Sequence, residues 1–375
     1  MSALNVNAID KESGSTLTLG GSGTTVNVNN MVPDVALSNR NLITNGAMNV
    51  AQRKTQVTGV TSGGYYTCDR MPIQVNGLGT WTVDQSTDAP NGFSNSFKVT
   101  CTTADASPAA NAFSVFSHRI EAQNIQHLAF GTADAKSMTL SFWVKSNKTG
   151  AASFDFLQDD NSLKMISKSY TINSANTWEY KTILIPADTA GVINNDNGSG
   201  LQINWWLNSG TNWSSGSLQS TWSTYDATNR NASNLSVGGA VSDYFAITGI
   251  QLEVGEVATP FEHEFFGNTV AKCQRYYQKS YNLDIPPQTN NAAGRHYFYL
   301  SPNTTNGNKG DIVSFPVTMR ASPSVTIYNE ASGVAGVFSN GASAIVIVVG
   351  QRSFMGYATS AGSDFYAHWV ADAEL

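Results

Sequence analysis

Four acidic side chains lie at the end of a predicted strand and just after it, in the stretch ITGIQLEVGEVATPFEHE: Glu253, Glu256, Glu262 and Glu264. Two carboxylates held about 5–10 Å apart across a cleft can hydrolyse a glycosidic bond, because one donates a proton while the other activates water or attacks the sugar. The same residues could equally be charges at the end of a strand. Nothing in the surrounding sequence predicts a pocket that keeps one carboxyl protonated and another ionised. We therefore interpret the stretch as the closing strand and exit turn of a β-sandwich, and we expect no enzymatic activity.

Aromatic side chains are concentrated in NWWLNSGTNWSSGSLQSTWSTYD, residues 204–226. Flat rings can stack on the apolar C–H face of a sugar while neighbouring Asn and Asp side chains bind its hydroxyl groups. Strand alternation predicts that Trp205 lies in the core and that Trp206, on the face of Gln202 and Asn204, is exposed. The candidate carbohydrate-binding residues are Trp206, Trp213, Trp222 and Tyr225. Alternatively, the loop aromatics pack beneath their own loop or against a neighbouring subunit, where Trp and Tyr are also favoured.

Residue types that bind metals are present, but not at the spacings that metal sites use. The five histidines form neither HxxxH nor HExxH, and the three cysteines form no CxxC pair. The stretch NNDNGSG fails the calcium-loop pattern because Gly198 occupies its fifth position. No GxSxG motif appears. We predict no metal site and no cofactor, and leave open a calcium ion bound by oxygen ligands.

The composition limits the possible partners. Of 375 residues, 41% are hydrophobic and 13% are charged, and the net charge is −6. No basic face is visible, so we expect no nucleic acid to bind through its phosphates. No apolar run reaches the ~18 residues of a membrane span, and the N-terminus lacks the pattern of a secretory signal. We therefore expect no membrane insertion.

The elements that must position these residues are mostly strands. Short alternating runs such as SFKVTCT, SMTLSFWVKS and LQINWWLNSG are separated by Asn, Gly and Ser turns, a pattern typical of an antiparallel sandwich. The predicted fold is all-β. Its predicted divisions are an N-terminal anchoring segment (1–40), a central antiparallel jelly-roll β-sandwich (41–265), a short helical connector (266–280) and a C-terminal β-sandwich tip (281–375).

The connector and the tip each allow one more specific prediction. In GNTVAKCQRYYQKSY, a helix with Asn268 as its N-cap would place Val270, Cys273 and Tyr277 roughly on one side. In the tip, AIVIVV shows no polar alternation. We therefore expect both faces of that strand to be covered, by a sandwich core or by a subunit interface.

The first 40 residues carry two short alternating runs around a Gly-Gly-Ser-Gly turn. Leu17 and Leu19 form one apolar pair, and Val26 and Val28 form the other. Such a segment has too little apolar surface to fold alone. We interpret these four residues as a docking strand pair, with a flexible tail as the alternative.

Several stretches, taken in order, resemble bacteriophage tail-fibre and related virion proteins, especially those of marine and cyanobacterial phages. They are NLITNGAMNVAQR, SMTLSFWVKSNKTG, YTINSANTWEYKTILIPAD, NDNGSGLQINWWLNSGTN, ITGIQLEVGEVATPFEHEFF and AKCQRYYQKS, and they span about residues 40–280. The middle block also resembles jelly-roll carbohydrate-binding modules. The resemblance is specific as an ordered set of motifs.

This resemblance implies a virion structural protein, made in the host cytoplasm and located on the particle as a homotrimeric tail fibre. The pairs Leu17–Leu19 and Val26–Val28 would anchor it to other tail or capsid proteins. The fibre would contribute to recognition of a host-surface glycan. A capsid-attached head fibre or decoration protein is the alternative, and a polysaccharide depolymerase is the third candidate.

Overall fold

The computed structural model describes residues 38–160, 163–299, 310–358 and 365–375. The predicted anchoring residues Leu17, Leu19, Val26 and Val28 lie outside the described residues. Residues 38–375 belong to one compact unit, which contains a larger β-sandwich followed by a smaller β-region.

The sandwich is formed by alternating strands joined by short turns. In chain order its strands are β1 (Gln56–Val60), β2 (Ile73–Asn76), β3 (Thr80–Ser86), β4 (Ser96–Thr103), β5 (Phe113–Glu121), β6 (Met138–Ser146), β7 (Gly150–Gln158), β8 (Lys164–Ile172), β9 (Glu179–Ile185), β10 (Ser199–Ser209), β11 (Ser223–Thr224) and β12 (Tyr244–Val254). The connecting segments contain the short helix α1 (Thr211–Ser214) and the 3₁₀ segments Ala122–Leu128 and Ala227–Asn229.

These strands form two six-stranded antiparallel sheets. The first sheet has the order β1-β3-β4-β12-β6-β9, and the second has the order β11-β8-β7-β10-β5-β2. Alternation fixes which side chains face inward: in β6, the apolar residues Met138, Leu140, Phe142 and Val144 are all fully buried. The predicted all-β class and central antiparallel sandwich are confirmed.

An aromatic core lies between the two sheets. The Trp205 ring stacks on Phe116, with centroids 5.1 Å apart, and meets Phe142 edge-on at 6.1 Å. Such ring pairs add about 0.5–1.5 kcal/mol each beyond the area they bury. Trp205 is therefore a core residue, as its position in the strand predicts.

The outer face of the second sheet is covered by the chain itself. Residues 210–235 leave β10 and fold back across that face, where Ser233 N donates to Ser153 Oγ of β7 and Ser167 Oγ of β8 donates to Asn229 O, both at 2.8 Å. At the start of this segment, a Cβ on Gly210 would lie 1.9 Å from Ala109 O. Glycine is therefore required where the covering segment crosses the neighbouring loop.

A helix links the sandwich to the second β-region. Helix α2 (Phe266–Gln274) follows Phe265, which is its N-cap residue. The prediction of Asn268 as N-cap is wrong, because the helix begins at Phe266 and Asn268 lies in its first turn. Val270 and Cys273 are buried together, as predicted, whereas Tyr277 lies in a strand beyond the helix.

The second β-region contains two smaller antiparallel sheets. Its described strands are β13 (Tyr277–Lys279), β14 (His296–Phe298), β15 (Gly310–Ser314), β16 (Ser324–Tyr328), β17 (Ala344–Ile347), β18 (Ser353–Ala358) and β19 (Phe365–Asp372). Strand β19 pairs with β13, β14 and β16, whereas β18 pairs with β15 and β17. A separate aromatic core includes Phe298, Phe338, Phe354, Phe365 and Trp369. The predicted domain boundaries at 265 and 281 stay predictions.

Only one face of the AIVIVV strand is packed on a core within the chain. Val346 packs on the aromatic core, whereas all four residues of β17 are half-buried and Val348 is exposed. The expectation that both faces are covered is therefore not met by the described residues of a single chain.

Candidate functional site

The acidic cluster holds the exit turn of the sandwich in place. Glu253 is 1% exposed. Its carboxylate accepts hydrogen bonds from the Thr259 amide at 2.8 Å, the Thr259 hydroxyl at 2.6 Å and Gln251 Nε2 at 2.8 Å. Arg40 Nε lies 3.9 Å away. Charge-assisted hydrogen bonds of this kind fix a turn strongly, so Glu253 fastens the 255–260 turn to the end of β12.

The other three acids point to different partners. Glu262 Oε2 accepts the backbone N–H of Asn41 at 2.9 Å, and Glu264 forms an ion pair with Lys272 of α2. Glu256 is exposed on the turn. The carboxylates of Glu253, Glu262 and Glu264 therefore each have a partner within the chain.

Three of the four candidate carbohydrate-binding aromatics lie together on the covered face of the second sheet. Trp206, Trp213 and Tyr225 surround Arg230, whose Cζ lies 4.8, 5.7 and 5.7 Å from their respective ring centroids. We call this group, with Asp155 beneath it, the arginine cluster. Its rings stack on an arginine that the chain itself supplies.

Asp155 organises the arginine cluster from below. It accepts hydrogen bonds from Trp206 Nε1 at 2.6 Å, Asn204 Nδ2 at 2.7 Å and Arg230 Nε at 3.0 Å. The expectation that Trp206 is exposed is wrong, because the ring is only 1% exposed. Alternation placed it correctly on the outer face, but residues 210–235 cover that face.

The remaining candidates differ in their surroundings. Trp213 is half-buried, meets Phe113 edge-on at 5.0 Å and donates through Nε1 to Asn111 O at 3.3 Å. Trp222 lies apart from the cluster. It packs on Phe130 at 5.7 Å and Phe156 at 6.4 Å, and its Nε1 donates to Pro186 O at 2.8 Å. The structure therefore brings Trp206, Trp213 and Tyr225 together and leaves Trp222 against the sandwich core.

Residues of the NLITNGAMNVAQR stretch are used for internal packing. Asn45 has a left-handed backbone, with φ of 62°, and its side chain bonds to Val50 N at 3.0 Å, Val50 O at 2.9 Å and Asp69 O at 3.0 Å. A Cβ on Gly46 would lie 2.1 Å from Ile250 O of β12. Asparagine tolerates the left-handed conformation, and glycine allows the chain to approach the strand.

The same stretch meets the AKCQRYYQKS stretch in a buried contact that we call the junction: Gln52, Arg53, Asp69 and Arg70 against Tyr276, Tyr277, Lys279 and Glu374. Gln52 Nε2 donates to Tyr277 O at 2.9 Å, and Gln52 N donates to Asp69 Oδ1 at 3.0 Å. Lys279 Nζ donates to Leu283 O at 3.0 Å and to Gln52 O. The two stretches therefore contact each other directly.

Two arginines, each stacked on a tyrosine ring, lie at the centre of the junction. The guanidinium of Arg53 lies 3.7 Å from the Tyr277 ring centroid, and that of Arg70 lies 3.6 Å from the Tyr276 centroid. Both arginines also reach Glu374: Arg53 at 3.4 Å, and Arg70 in a direct ion pair. Cation–π contacts of desolvated guanidinium groups are worth up to about 2 kcal/mol each.

Burial and charge set the ionisation of the junction. Burial would lower the pKa of Arg70, but Glu374, through its charge and its hydrogen bond, acts together with Tyr276 and Tyr65 to raise it. Burial raises the pKa of Tyr276 and Tyr277, so both rings stay neutral beneath the cations. Burial lowers the pKa of Lys279 to about 8, against the opposing charges of Asp69 and Asp284.

The described residues contain neither a metal-binding group nor a disulfide. In residues 38–160, 163–299, 310–358 and 365–375, no three His, Cys, Asp or Glu side chains are grouped so as to hold a metal ion. All three cysteines are free and buried. In the same part of the chain, none of the helices has the length and apolar character needed to cross a membrane.

Comparison with known proteins gives weak structural likenesses. No family model and no curated protein matches the sequence. Over 57% of this chain, the enzymatically active domain of tailspike protein 4 of bacteriophage CBA120 matches with a TM-score of 0.30 and 15% identity. Over 55%, the family 11 carbohydrate-binding module from Clostridium thermocellum, solved with a β-1,3-1,4-mixed-linked tetrasaccharide, matches with a TM-score of 0.24 and 11% identity.

The share of each known structure that is matched differs widely. This chain covers 21% of the tailspike domain and 26% of an α-L-arabinofuranosidase, which matches with a TM-score of 0.31 and 9% identity. It covers 91% of the family 11 module. At these scores and identities, the likenesses assign neither a ligand nor an activity to this chain.

Proposed function

We propose that the protein is a structural protein of a phage virion: a tail fibre that attaches to the particle through its N-terminal segment and contributes to recognition of a host-surface glycan. One observation carries the structural part. Stretches through which the chain resembles phage fibre proteins, NLITNGAMNVAQR and AKCQRYYQKS, meet at the junction through Gln52, Arg53 and Tyr277. Their residues hold two β-regions together, as a fibre that must keep its distal part in a fixed orientation requires.

The acidic cluster favours a binding protein over a hydrolase. Glu253 accepts a hydrogen bond from the backbone amide of Thr259 in the exit turn, and Glu262 accepts one from the backbone amide of Asn41. A polysaccharide depolymerase would need two carboxylates free to act on one bond. Incubation with polysaccharide purified from the surface of host cells tests this part. We expect retention of the protein on the polymer without new reducing ends, and release of reducing ends would favour the depolymerase.

The attachment role is tested by particle incorporation. A protein that lacks residues 1–40 should fold and stay soluble but be missing from purified particles, as measured by immunoblot. A sharper variant replaces Leu17, Leu19, Val26 and Val28 with Ser. Its matched control replaces their neighbours Thr16, Thr18, Thr25 and Asn27 with Ser. Normal incorporation of the variant in which the four apolar residues are replaced by Ser would overturn the docking role.

The position on the particle separates the tail fibre from its alternative. A capsid-attached head fibre or decoration protein would use the same anchoring and the same junction. Electron microscopy of particles labelled with an antibody to residues 38–375 tests the choice. We expect label at the tail, and label spread over the capsid would favour the alternative.

One exposed sheet face supports self-association into the proposed homotrimer. Ile312, Met355 and Ile347 lie side by side across β15, β18 and β17, so they share one face. Ile312 is 61% exposed, and the other two are half-buried. We expect Ile312→Asp to reduce the sedimentation coefficient relative to the control Thr318→Asp, an exposed position outside β15, β17 and β18. Identical sedimentation of both variants and wild type would contradict assembly through this face.

A further inference from the structure

A cleft of about 470 Å³ opens beside the junction, between the sandwich and the second β-region. Four tyrosines line it: Tyr65, Tyr66, Tyr277 and Tyr328. We propose that this tyrosine cleft is the saccharide-binding site and that it takes a short, uncharged oligosaccharide segment. The inference rests on the glycan recognition proposed above and gives it a location. The volume lies within the ~300–1,000 Å³ typical of small-molecule sites.

The floor and the walls of the cleft are aromatic. Tyr277 and Tyr328 are buried with Val370 and form the floor. Tyr65 and Tyr66 are half-buried and form the opposite wall. Arg53 already lies against Tyr277 at 3.7 Å and Tyr65 at 5.1 Å. The rest of the ring surface that borders the cleft is flat and apolar, and the C–H face of a sugar can stack on such a surface.

The wall rings are fixed before any ligand arrives. The Tyr65 hydroxyl donates to Leu375 O at 3.1 Å, and the Tyr66 hydroxyl donates to Ser62 O at 3.0 Å. Burial is the main reason that the pKa of Tyr65 is raised to about 12, so this hydroxyl keeps its proton at neutral pH. A ring that is already ordered loses little side-chain entropy on binding, which favours affinity.

The polar groups of the cleft suit sugar hydroxyls. Asp372 Oδ2 lies 2.9 Å from Arg53 Nη2, and the side chain of Asp372 is still 39% exposed. Gln288 and Lys54 are exposed at the rim, and Thr326 is half-buried. This set contains both donors and acceptors, and a sugar hydroxyl is both a donor and an acceptor.

The charges of the cleft favour an uncharged sugar. The guanidinium of Arg53 already faces Asp69 at 3.8 Å, Asp372 at 2.9 Å and Glu374 at 3.4 Å. Its charge is therefore offset by carboxylates of the chain. A uronic acid would bring a further carboxylate toward Asp372, and like charges in a partly buried site repel each other.

A strained residue lies at the rim. Gln288 has a φ of 68°, which is rare for a residue other than glycine, Asn or Asp. A Cβ on Gly333 would lie 2.2 Å from Gln288 O, and Gly333 itself has a φ of 71°. The 286–288 lip is therefore pressed against the 329–333 turn. Such outliers cost about 1–3 kcal/mol and cluster at ligand sites.

The cleft is built from both parts of the chain. Tyr65 and Tyr66 come from the loop before β2, whereas Tyr277, Tyr328 and Asp372 come from β13, β16 and β19. Neither part alone contains the site. The junction fixes the distance between its walls, so ligand binding should depend on an intact junction.

The test blocks the cleft without cutting into a core. Ser324 is exposed at the cleft, and Ser322 is exposed two residues away but does not line it. We expect Ser324→Trp to weaken retention at least ~10-fold, about 1.4 kcal/mol, and Ser322→Trp to leave retention unchanged. Retention is measured by affinity electrophoresis of the full chain in gels that contain neutral polysaccharide purified from the surface of host cells. Tyr65→Ala should also reduce retention, and Tyr65→Phe, which keeps the ring, should reduce it less.

Each other outcome overturns the inference. Retention of Ser324→Trp equal to that of wild type would place saccharide binding elsewhere. Retention of wild type only in gels with an acidic polysaccharide would exclude the uncharged ligand, and no retention of wild type would exclude the site. Melting temperatures of all variants, measured in parallel, show that each is folded. Failure of the virion role is a separate result, because it appears as absence of the wild-type protein from purified particles while its retention on polysaccharide persists.

Discussion

The arginine cluster and the tyrosine cleft are made from similar residues, but they differ in the open space that lies beside their rings. In the cluster, Arg230 lies 4.8 Å from the Trp206 centroid, and Asp155 takes both the indole N–H and the guanidinium. In the cleft, Arg53 lies 3.7 Å from the buried Tyr277 ring and 5.1 Å from the Tyr65 ring, but about 470 Å³ of open space remains beside these rings and Tyr66. Both regions therefore contain an arginine against their rings, and the cleft in addition has room for a ligand. Aromatic density alone does not distinguish a binding surface from a buried support.

The comparison makes a first prediction about stability at the cluster. Asp155→Ala should lower the free energy of unfolding by about 3–5 kcal/mol, because Arg230 would remain buried without a counter-charge. Trp206 and Asn204 would also lose their acceptor. Urea unfolding followed by tryptophan fluorescence measures this change.

The matched control for Asp155→Ala is Asp134, an exposed aspartate in the loop before β6. Asp134→Ala should change stability by no more than about 0.5 kcal/mol. A loss at Asp155 no larger than at Asp134 would mean that the cluster is not a buried support. The comparison with the cleft would then fail at its first step.

The second prediction concerns the junction that sets the walls of the cleft. Glu374→Gln keeps the side-chain volume but removes the charge that faces Arg53 and Arg70. We expect a loss of about 2–3 kcal/mol in unfolding free energy, together with weaker saccharide retention. Glu256→Gln, on the exposed turn, is the control and should leave both quantities unchanged. Full retention by Glu374→Gln would show that the cleft does not depend on the junction.

Much of the fold could be predicted from the sequence, because strand alternation is a local property. Met138, Leu140, Phe142 and Val144 of β6 face the core as their spacing requires. The same rule placed Trp206 on the outer face but could not say what lies on that face. Its burial depends on residues 210–235 folding back across the sheet, which is a tertiary contact that periodicity does not encode.

The site was less predictable than the fold. Tandem tyrosines occur in both GGYYTCDR and QRYYQKS, and this repeat was the available signal for the cleft and the junction. Tyr65 and Tyr277 are far apart in the chain, so only the folded structure brings them to one cleft. The predicted candidates came instead from the densest run of aromatics. That density reflects the need to cover a polar sheet face around Asp155.

The third prediction concerns the pH dependence of stability, which the contact between Glu121 and Arg275 beside the junction should influence. Glu121 accepts hydrogen bonds from Arg275 Nε and Nη2, both at 2.7 Å, and so joins β5 to the end of α2. Burial would raise the pKa of Glu121, but the hydrogen bonds and charge of Arg275, together with hydrogen bonds from Tyr276 and Gln123, lower it. Because the folded-state pKa lies below the unfolded value of about 4.3, the contribution is fully present above that pH and is lost as the pH falls through the folded value.

Glu121→Gln should therefore make the stability of the protein depend less on pH between pH 5 and pH 3. Wild type is expected to be about 1–2 kcal/mol more stable than the variant at pH 7, and this difference should shrink as the pH falls from 5 to 3. Melting temperatures across that range measure it. A difference that stays constant with pH would show that the Glu121–Arg275 pair does not carry the charge-dependent stability assigned to it.

The smallest expected effect is at the rim of the arginine cluster, and it sharpens the comparison most directly. Trp213 is half-buried, meets Phe113 edge-on and packs at a tilt on Trp206, so Trp213→Ala should cost about 1 kcal/mol of stability. If the cluster is a support and the cleft is the site, the variant should retain saccharide as wild type does in the same gels. A loss of retention that matches Ser324→Trp would contradict this division of roles. Such a loss at an unchanged melting temperature would return the glycan to the outer face, where the aromatic-rich sequence first suggested it.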